Sequence, residues 1–374
     1  MSLRNARVGG GGRAGAGAGS RGASAPRARA ALGLAMVWPA FAAVACGSGD
    51  DFAQAPAPLA DAAPRVDASP QVDASPPGDA LADSDAAPHV GVILPTTNGL
   101  QSIWGSSDSD VWAVGDMGTI VHFDGHTWAL VPSGVTENLT CLTGTGPNDV
   151  WATGDGGSVL HWDGAAWSVA SNVQNTALLG VWAGAPDDVW TVGIDFDGSG
   201  LGGSGYVRRW NGTQWDDSDV TGTDTLWKVW GSGATDVWLV GTAQQQGLVY
   251  RGASTFDVVA FTGESVHGIW GTGPDDVWVA PASGALQHWT GSAFAAAPPA
   301  AADQGLHGLS GTGTDDIWAV GNNGITEHYT GGTWSVEPTG SLETLFSVWT
   351  PSPTDAWLVG SGATLLRWDG TSWK

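Results

Sequence analysis

Cysteine is nearly missing from this chain, with two residues, Cys46 and Cys141, in 374. If Cys46 is acylated, as its surroundings suggest below, no intrachain disulfide is available and the fold must hold by packing alone. Charge is scarce as well, at 13% of residues, and one-sided, with 13 Lys+Arg against 37 Asp+Glu. Six of the basic residues lie in the first 46 positions, where there is no acid; after Cys46 seven bases face 37 acids, a balance of −30. Such a surface repels phosphate backbones and anionic headgroups, which argues against a nucleic-acid partner. The apolar run Ala30 to Ala45 is too short, and too interrupted by Pro39, to span a bilayer as a permanent helix. Glutamate is down to five, Glu137, Glu264, Glu327, Glu337 and Glu343, scattered so that no glycosidase pair is implied. Neither a Ser-His-Asp constellation nor a phosphate-binding loop is visible.

The arginine-rich start followed by that apolar run reads as an export signal over residues 1–46. Its end, Ala43-Val44-Ala45-Cys46, resembles the lipobox of bacterial lipoprotein signals, in which cleavage before the cysteine frees it for acylation. Cys46 is therefore the expected lipidation site, and the expected address is the cell envelope, exported and lipid-anchored to a membrane. Residues 47–90 are rich in Ala, Pro and Asp, with the near-duplicates Val66-Asp67-Ala68-Ser69-Pro70 and Val72-Asp73-Ala74-Ser75-Pro76. So few bulky apolar side chains cannot offset ordering entropy, and the segment reads as a disordered tether.

What remains, residues 91–374, is dominated by tryptophan, 23 in all, and by glycine, 58 in all. An Asp-x-Trp anchor returns at Trp112, Trp151, Trp190, Trp238, Trp278, Trp318 and Trp357, about every 40 residues, with one longer interval that carries an insertion at Ile194 to Gly205. Each copy holds four short β-branched and aromatic runs separated by Gly, Asp, Asn, Ser and Thr, the content of a four-stranded antiparallel propeller blade. The expectation is an all-β fold: a seven-bladed β-propeller with four-stranded antiparallel blades, monomeric. The last copy stops at Trp373-Lys374, and Val92-Ile93-Leu94-Pro95 is similar to Ala129-Leu130-Val131-Pro132; an N-terminal strand closing the last blade is expected there. Tryptophans at Trp104, Trp182, Trp230, Trp270 and Trp349 are read as opening the turn after the first strand.

Asp124-Gly125-His126-Thr127-Trp128 and Asp369-Gly370-Thr371-Ser372-Trp373 carry a resemblance from Leu100 to Lys374 to the propeller repeats of bacterial Asp-box (neuraminidase-type) and two-component-regulator proteins. The box is structural in that family, on the turn between third and fourth strands. The resemblance also implies an alternative function, a sialidase-like glycoside hydrolase. A sialidase needs an arginine cluster, and the propeller has only Arg208, Arg209, Arg251 and Arg367.

Repeats supply an internal comparison, since residues present in every blade serve the blade and residues that break the pattern are where one asymmetric site is built. The aspartates before the anchor, Asp110, Asp149, Asp188, Asp236, Asp276, Asp316 and Asp355, are expected to accept hydrogen bonds from nearby backbone amides. His122, His161, His288, His328, Arg209 and Arg367 recur in the third strands and are expected to pack on, or bond to, the neighbouring blade. Pattern-breaking residues gather on one rim. Asp116, Asp155, Gln245, Asn322 and Asn323 lie between second and third strands, and Trp227, His267 and His307 head first strands, Trp227 as an exposed aromatic. Asp195 and Asp197 in the insertion have the chemistry of a calcium loop without its full spacing, and no other cofactor is expected. The function expected is non-enzymatic: a binding or scaffold propeller that recognises a glycan or protein partner through that rim. A structural subunit of an envelope complex is a further alternative.

Overall fold

The computed structural model describes residues 94–196, 203–218, 220, 222–259, 261, 263–297 and 305–374. Seven antiparallel sheets follow one another along the chain, six with four strands in consecutive order. Blades 1 to 7 occupy residues 100–130, 139–172, 176–218, 225–259, 266–296, 306–336 and 345–374. The first strands of successive blades touch all the way round, including Leu100–Ser107 of blade 1 against Leu345–Ser352 of blade 7, so the ring is closed. In blade 3 the inserted residues lengthen the central hairpin, Asp188–Phe196 against Gly203–Trp210.

The seven anchor tryptophans are buried, and each packs into the next blade. Trp112 lies 4.9 Å from Trp162 and 5.5 Å from Trp167, Trp318 lies 5.1 and 5.0 Å from Trp368 and Trp373, and across the closing seam Trp357 lies 5.3 Å from Phe123. Each indole removes about 150–250 Å² from water, an upper bound of a few kcal/mol at about 25 cal/mol/Å². An anchor can do this only if a neighbour covers it, so the pattern selects a closed ring.

A second interlock uses the tryptophans expected to open a turn. They stand inside the first strands instead, with Trp104 paired to Trp112 across the ladder. Each reaches the following blade at a glycine: a Cβ on Gly144 would sit 2.6 Å from Trp104, and one on Gly105 would sit 2.6 Å from Trp349. Gly231, Gly271 and Gly311 meet Trp182, Trp230 and Trp270 in the same way. Two blades lack this tryptophan, having Thr143 and Ser310, and in both the following blade has a larger residue than glycine there, Ala183 and Thr350. The Ser310 and Thr350 hydroxyls are 2.7 Å apart. Volume is conserved across each seam, as close packing requires.

At the closing blade, Trp373 bridges Trp368, and Arg367 and Lys374 exchange two backbone hydrogen bonds of 2.9 Å. Of the strand expected at Val92 to Pro95, Leu94 and Pro95 are described and belong to no ladder; proline has no amide hydrogen to give one. Leu94 nevertheless packs into the seam of blades 7 and 1, as Val131 does in that of blades 1 and 2. Val92, Ile93, the export signal, the tether and Cys46 lie outside the described residues.

The recurring polar residues form a cassette within each blade, which corrects the expected partners. Asp110 accepts from Ser106 through one oxygen and pairs with His122 Nε2 at 2.6 Å through the other, while the His122 ring stacks 3.9 Å from Trp112. His161, His288 and His328 repeat this against Asp149, Asp276 and Asp316 at 2.5 to 2.7 Å. Arg209, Arg251 and Arg367 take the same place over Trp190, Trp238 and Trp357. The ladder pairs Arg251 with Trp238, so Gly252 takes the place that Phe123 has in blade 1 and Tyr250 stands two positions before it. All seven blades therefore carry the cassette, and its acid binds side chains of its own blade. Burial pushes the Asp149 carboxyl up, but bonds from His161, Thr145 and Trp151 outweigh it and hold the group below its ordinary range. The Asp-Gly turns lie elsewhere, on the third hairpin, where Asp124 Oδ1 accepts the amides of His126 and Thr127 at 2.9 and 2.8 Å.

Candidate functional site

The start of each first strand lies beside the turn that follows the second strand, because the ladder pairs Leu100 with Gly115 and its counterparts likewise. At this end of the channel the seven equivalent side chains are Gln101, Thr140, Leu179, Trp227, His267, His307 and Phe346, no longer a repeat.

Four of them form a continuous aromatic arc across blades 4 to 7. Trp227 meets His267 edge-on at 5.2 Å, His267 stacks over His307 at 6.3 Å and 20°, and His307 meets Phe346 at 6.2 Å. Trp227 is half-buried rather than exposed, because its indole N–H donates to Thr242 and Ser265 at 3.0 and 3.1 Å. Ser265 is in turn 2.8 Å from His267 Nε2. His307 Nε2 donates to Asn322 Oδ1 at 2.8 Å, which leaves its Nδ1 an acceptor. Both imidazoles are buried, 4% and 1% exposed, and their Nδ1 atoms have no hydrogen-bond partner among the described residues. Burial, the neighbouring His307 and the Lys228 ammonium pull His267 down to about 3; burial and Lys228 also lower His307, against the Asn322 bond. Both rings are neutral at physiological pH.

The opposite side of the mouth is acidic. Gln101, 3% exposed, donates to Asp116 Oδ1 at 2.9 Å, while its own Oε1 is without a partner among the described residues. Asp155 accepts the Asn138 amide and side chain at 3.2 and 2.9 Å. Burial raises the Asp155 carboxyl and Asp116 adds to that, while burial and Asp155 raise Glu137. The mouth thus sets Asp116, Glu137 and Asp155 of blades 1 and 2 across from the neutral rings of blades 4 to 7, while Asp224 and Glu343 add carboxylates on the connections into blades 4 and 7.

The structure therefore brings together Trp227, His267, His307 and Asn322, and separately Asp116 with Asp155. Gln245 and Asn323 are exposed loop residues with positive φ, 67° and 55°, on blades 4 and 6. Asp195 is exposed on the second strand of blade 3, and Asp197 lies outside the described residues; among the described residues no cluster of three or more His, Cys, Asp or Glu is placed to hold a metal ion. Sequence reasoning missed Lys228, although it replaces the Ser, Cys or Gly found at the equivalent place in the other six blades. It also missed Glu137, which packs over Gly154 and Gly156, although an acid recurs at the same place, two residues before the opening apolar residue of the first strand, in Asp224, Glu264 and Glu343.

The fold recurs in solved structures. YCF48 bound to D1 peptide matches with TM-score 0.59 at 18% identity, over 74% of this chain and 94% of that one. YCF48 from Cyanidioschyzon merolae gives 0.58 at 17%, over 74% and 97%, and virginiamycin B lyase from Staphylococcus aureus 0.60 at 14%, over 73% and 95%. Their likeness is one of fold. No family model matches the chain, and no curated protein matches it.

Proposed function

We propose that this chain is a non-enzymatic binding module, exported and lipid-anchored at Cys46, which takes an extended polypeptide segment at the mouth holding Trp227, His267 and His307. One observation carries the reading. Gln101 Oε1, His267 Nδ1 and His307 Nδ1 are buried polar atoms at one level of the ring without partners among the described residues, and such atoms are costly unless something meets them. A polypeptide backbone offers donors and acceptors at close intervals, which suits such a ring. Apolar side chains stand exposed on the connections at this end, Met117 at 71% and Leu342 at 86%, as suits a protein contact. Asp116, Glu137 and Asp155 favour a segment with a basic side chain on their side. YCF48, of the same fold, is known with a bound peptide, which supports a peptide ligand here. Glu137 accepts the backbone amide of Ser158 and Asp155 that of Asn138, a positioning role that accords with a non-catalytic reading.

A peptide array probed with the full chain tests this, with titration of the hits against His307→Ala and Gln101→Ala. Hits weakened tenfold or more by either variant support the reading. Hits indifferent to both, or glycan-array hits that depend on these residues in place of peptides, overturn it. Cys46→Ser is expected to move the chain from the membrane to the soluble fraction; retention in the membrane would count against the anchor.

A further inference from the structure

The far end of the ring carries the cassettes, and there the blades are alike but for two. In blades 1, 2, 4, 5 and 6 the second oxygen of the cassette aspartate accepts a hydroxyl four residues earlier, from Ser106, Thr145, Ser232, Thr272 and Thr312; the Thr145 and Ser232 bonds are both 2.5 Å. Blade 7 has Pro351 at this place, and its Asp355 is closed instead by a bidentate Arg367, 2.8 Å to each oxygen. Blade 3 has Gly184. There Asp188 Oδ1 accepts Trp190 Nε1 at 3.0 Å and Arg209 Nε at 2.7 Å, and Oδ2 has no hydrogen-bond partner among the described residues. The Asp188 side chain is 7% exposed, and it lines a cleft of about 380 Å³ together with Gly184, Arg209, Asn211 and, from blade 4, Ala234.

We propose that this cleft is a saccharide-binding subsite, in which a sugar hydroxyl donates to Asp188 Oδ2 as the protein's own Ser and Thr hydroxyls do in five sister blades. The second half of the recognition is Arg209. Its Nε is committed to Asp188, and its terminal nitrogens, with no hydrogen bond to the described residues, can donate to a neighbouring ring oxygen or hydroxyl. An acceptor and a donor side by side match the vicinal hydroxyls of a sugar. The cleft is larger than a single side chain needs and falls in the range of small-ligand sites, roughly 300–1,000 Å³. A Cβ at Gly184 would lie 2.5 Å from the Trp182 ring, so the glycine that leaves this acceptor open also lets that ring lie against it.

Calorimetric titration of the full chain with glucose, galactose, mannose and N-acetylglucosamine tests the proposal, with glycerol and the peptide Gly-Ser-Thr-Gly as controls. Arg209→His converts the cassette to the form already present in four blades, so it keeps the fold and removes the free donors; Ala234→Trp fills the cleft from an exposed turn. At least one of the four sugars is expected to bind, with affinity reduced tenfold or more in both variants and unchanged in Arg251→His, the same exchange in a blade whose aspartate is capped. No binding by any of the four sugars, equal binding of glycerol or the peptide, or binding indifferent to Arg209→His and Ala234→Trp would each overturn it. The mouth at the other end plays no part in this readout.

Discussion

The two ends of the ring are built from the same strands and behave as opposites. At the cassette end the same polar group recurs seven times: an aspartate holds a histidine or arginine over a tryptophan, although the indole N–H groups of Trp112 and Trp357 have no partner among the described residues. At the mouth only blades 5 and 6 agree, both carrying histidine, and three buried polar atoms are left without partners among the described residues. The difference teaches that repetition here serves cohesion, since each cassette fixes an indole that the next blade must cover, whereas variation is concentrated where a partner is to be met.

Breaking the repeated end should cost most. Trp318→Ala removes a fully buried anchor together with its contacts to Trp368 and Trp373, and should lower unfolding free energy by about 4 kcal/mol in urea titration. Gly271→Val forces a side chain into the space of Trp230 and should cost about 3 kcal/mol by the same measurement. The Ser310–Thr350 seam sharpens the rule. Thr350→Gly alone leaves Ser310 without its partner and should cost about 1 kcal/mol. Combining it with Ser310→Trp should recover stability, whereas Ser310→Trp alone should be destabilising; a double-mutant cycle without positive coupling would discard the volume rule.

The mouth gives a smaller effect, legible in pH. The folded His267 value of about 3 lies below the ordinary 6.5, so the fold favours the neutral ring. Its contribution to stability is complete above about pH 6.5 and is lost as pH falls from there toward 3. Glu137 and Asp155 are shifted upward, so their cost is present at neutral pH and is relieved as pH falls through their folded values. His267→Gln should therefore flatten the melting-temperature loss between pH 6.5 and 3, while Asp155→Asn should raise the neutral-pH melting temperature by a few degrees at most. The same loss in both His267→Gln and the parent would separate the arc from any pH response.

Much of the fold was open to reading before any coordinates, since blade number, strand count and the seven anchors all follow from a repeat of about 40 residues. The reading of Trp104 as a turn residue failed because Trp104, Trp230 and Trp270 each stand next to Gly, a turn signal, where the glycine in fact makes room for the tryptophan of the preceding blade. The Thr143–Ala183 and Ser310–Thr350 exchanges were in view, but their meaning depends on knowing that they face each other across a seam. The same holds for the site. His267 and His307 stood out as breaks in the pattern, yet Trp227 could not be known to spend its N–H on Thr242 and Ser265, nor Lys228 to lie close enough to act on both imidazoles.

By itself the order of residues determined the ring, because indoles placed every 40 residues have no way out of water except a neighbour on each side. It also determined which end varies. Only the tertiary structure decided which polar atoms go without partners, because satisfaction of a donor or acceptor depends on distances between residues tens of positions apart. That is how Gly184, an unremarked glycine in the sequence, comes to leave an aspartate oxygen facing a cleft.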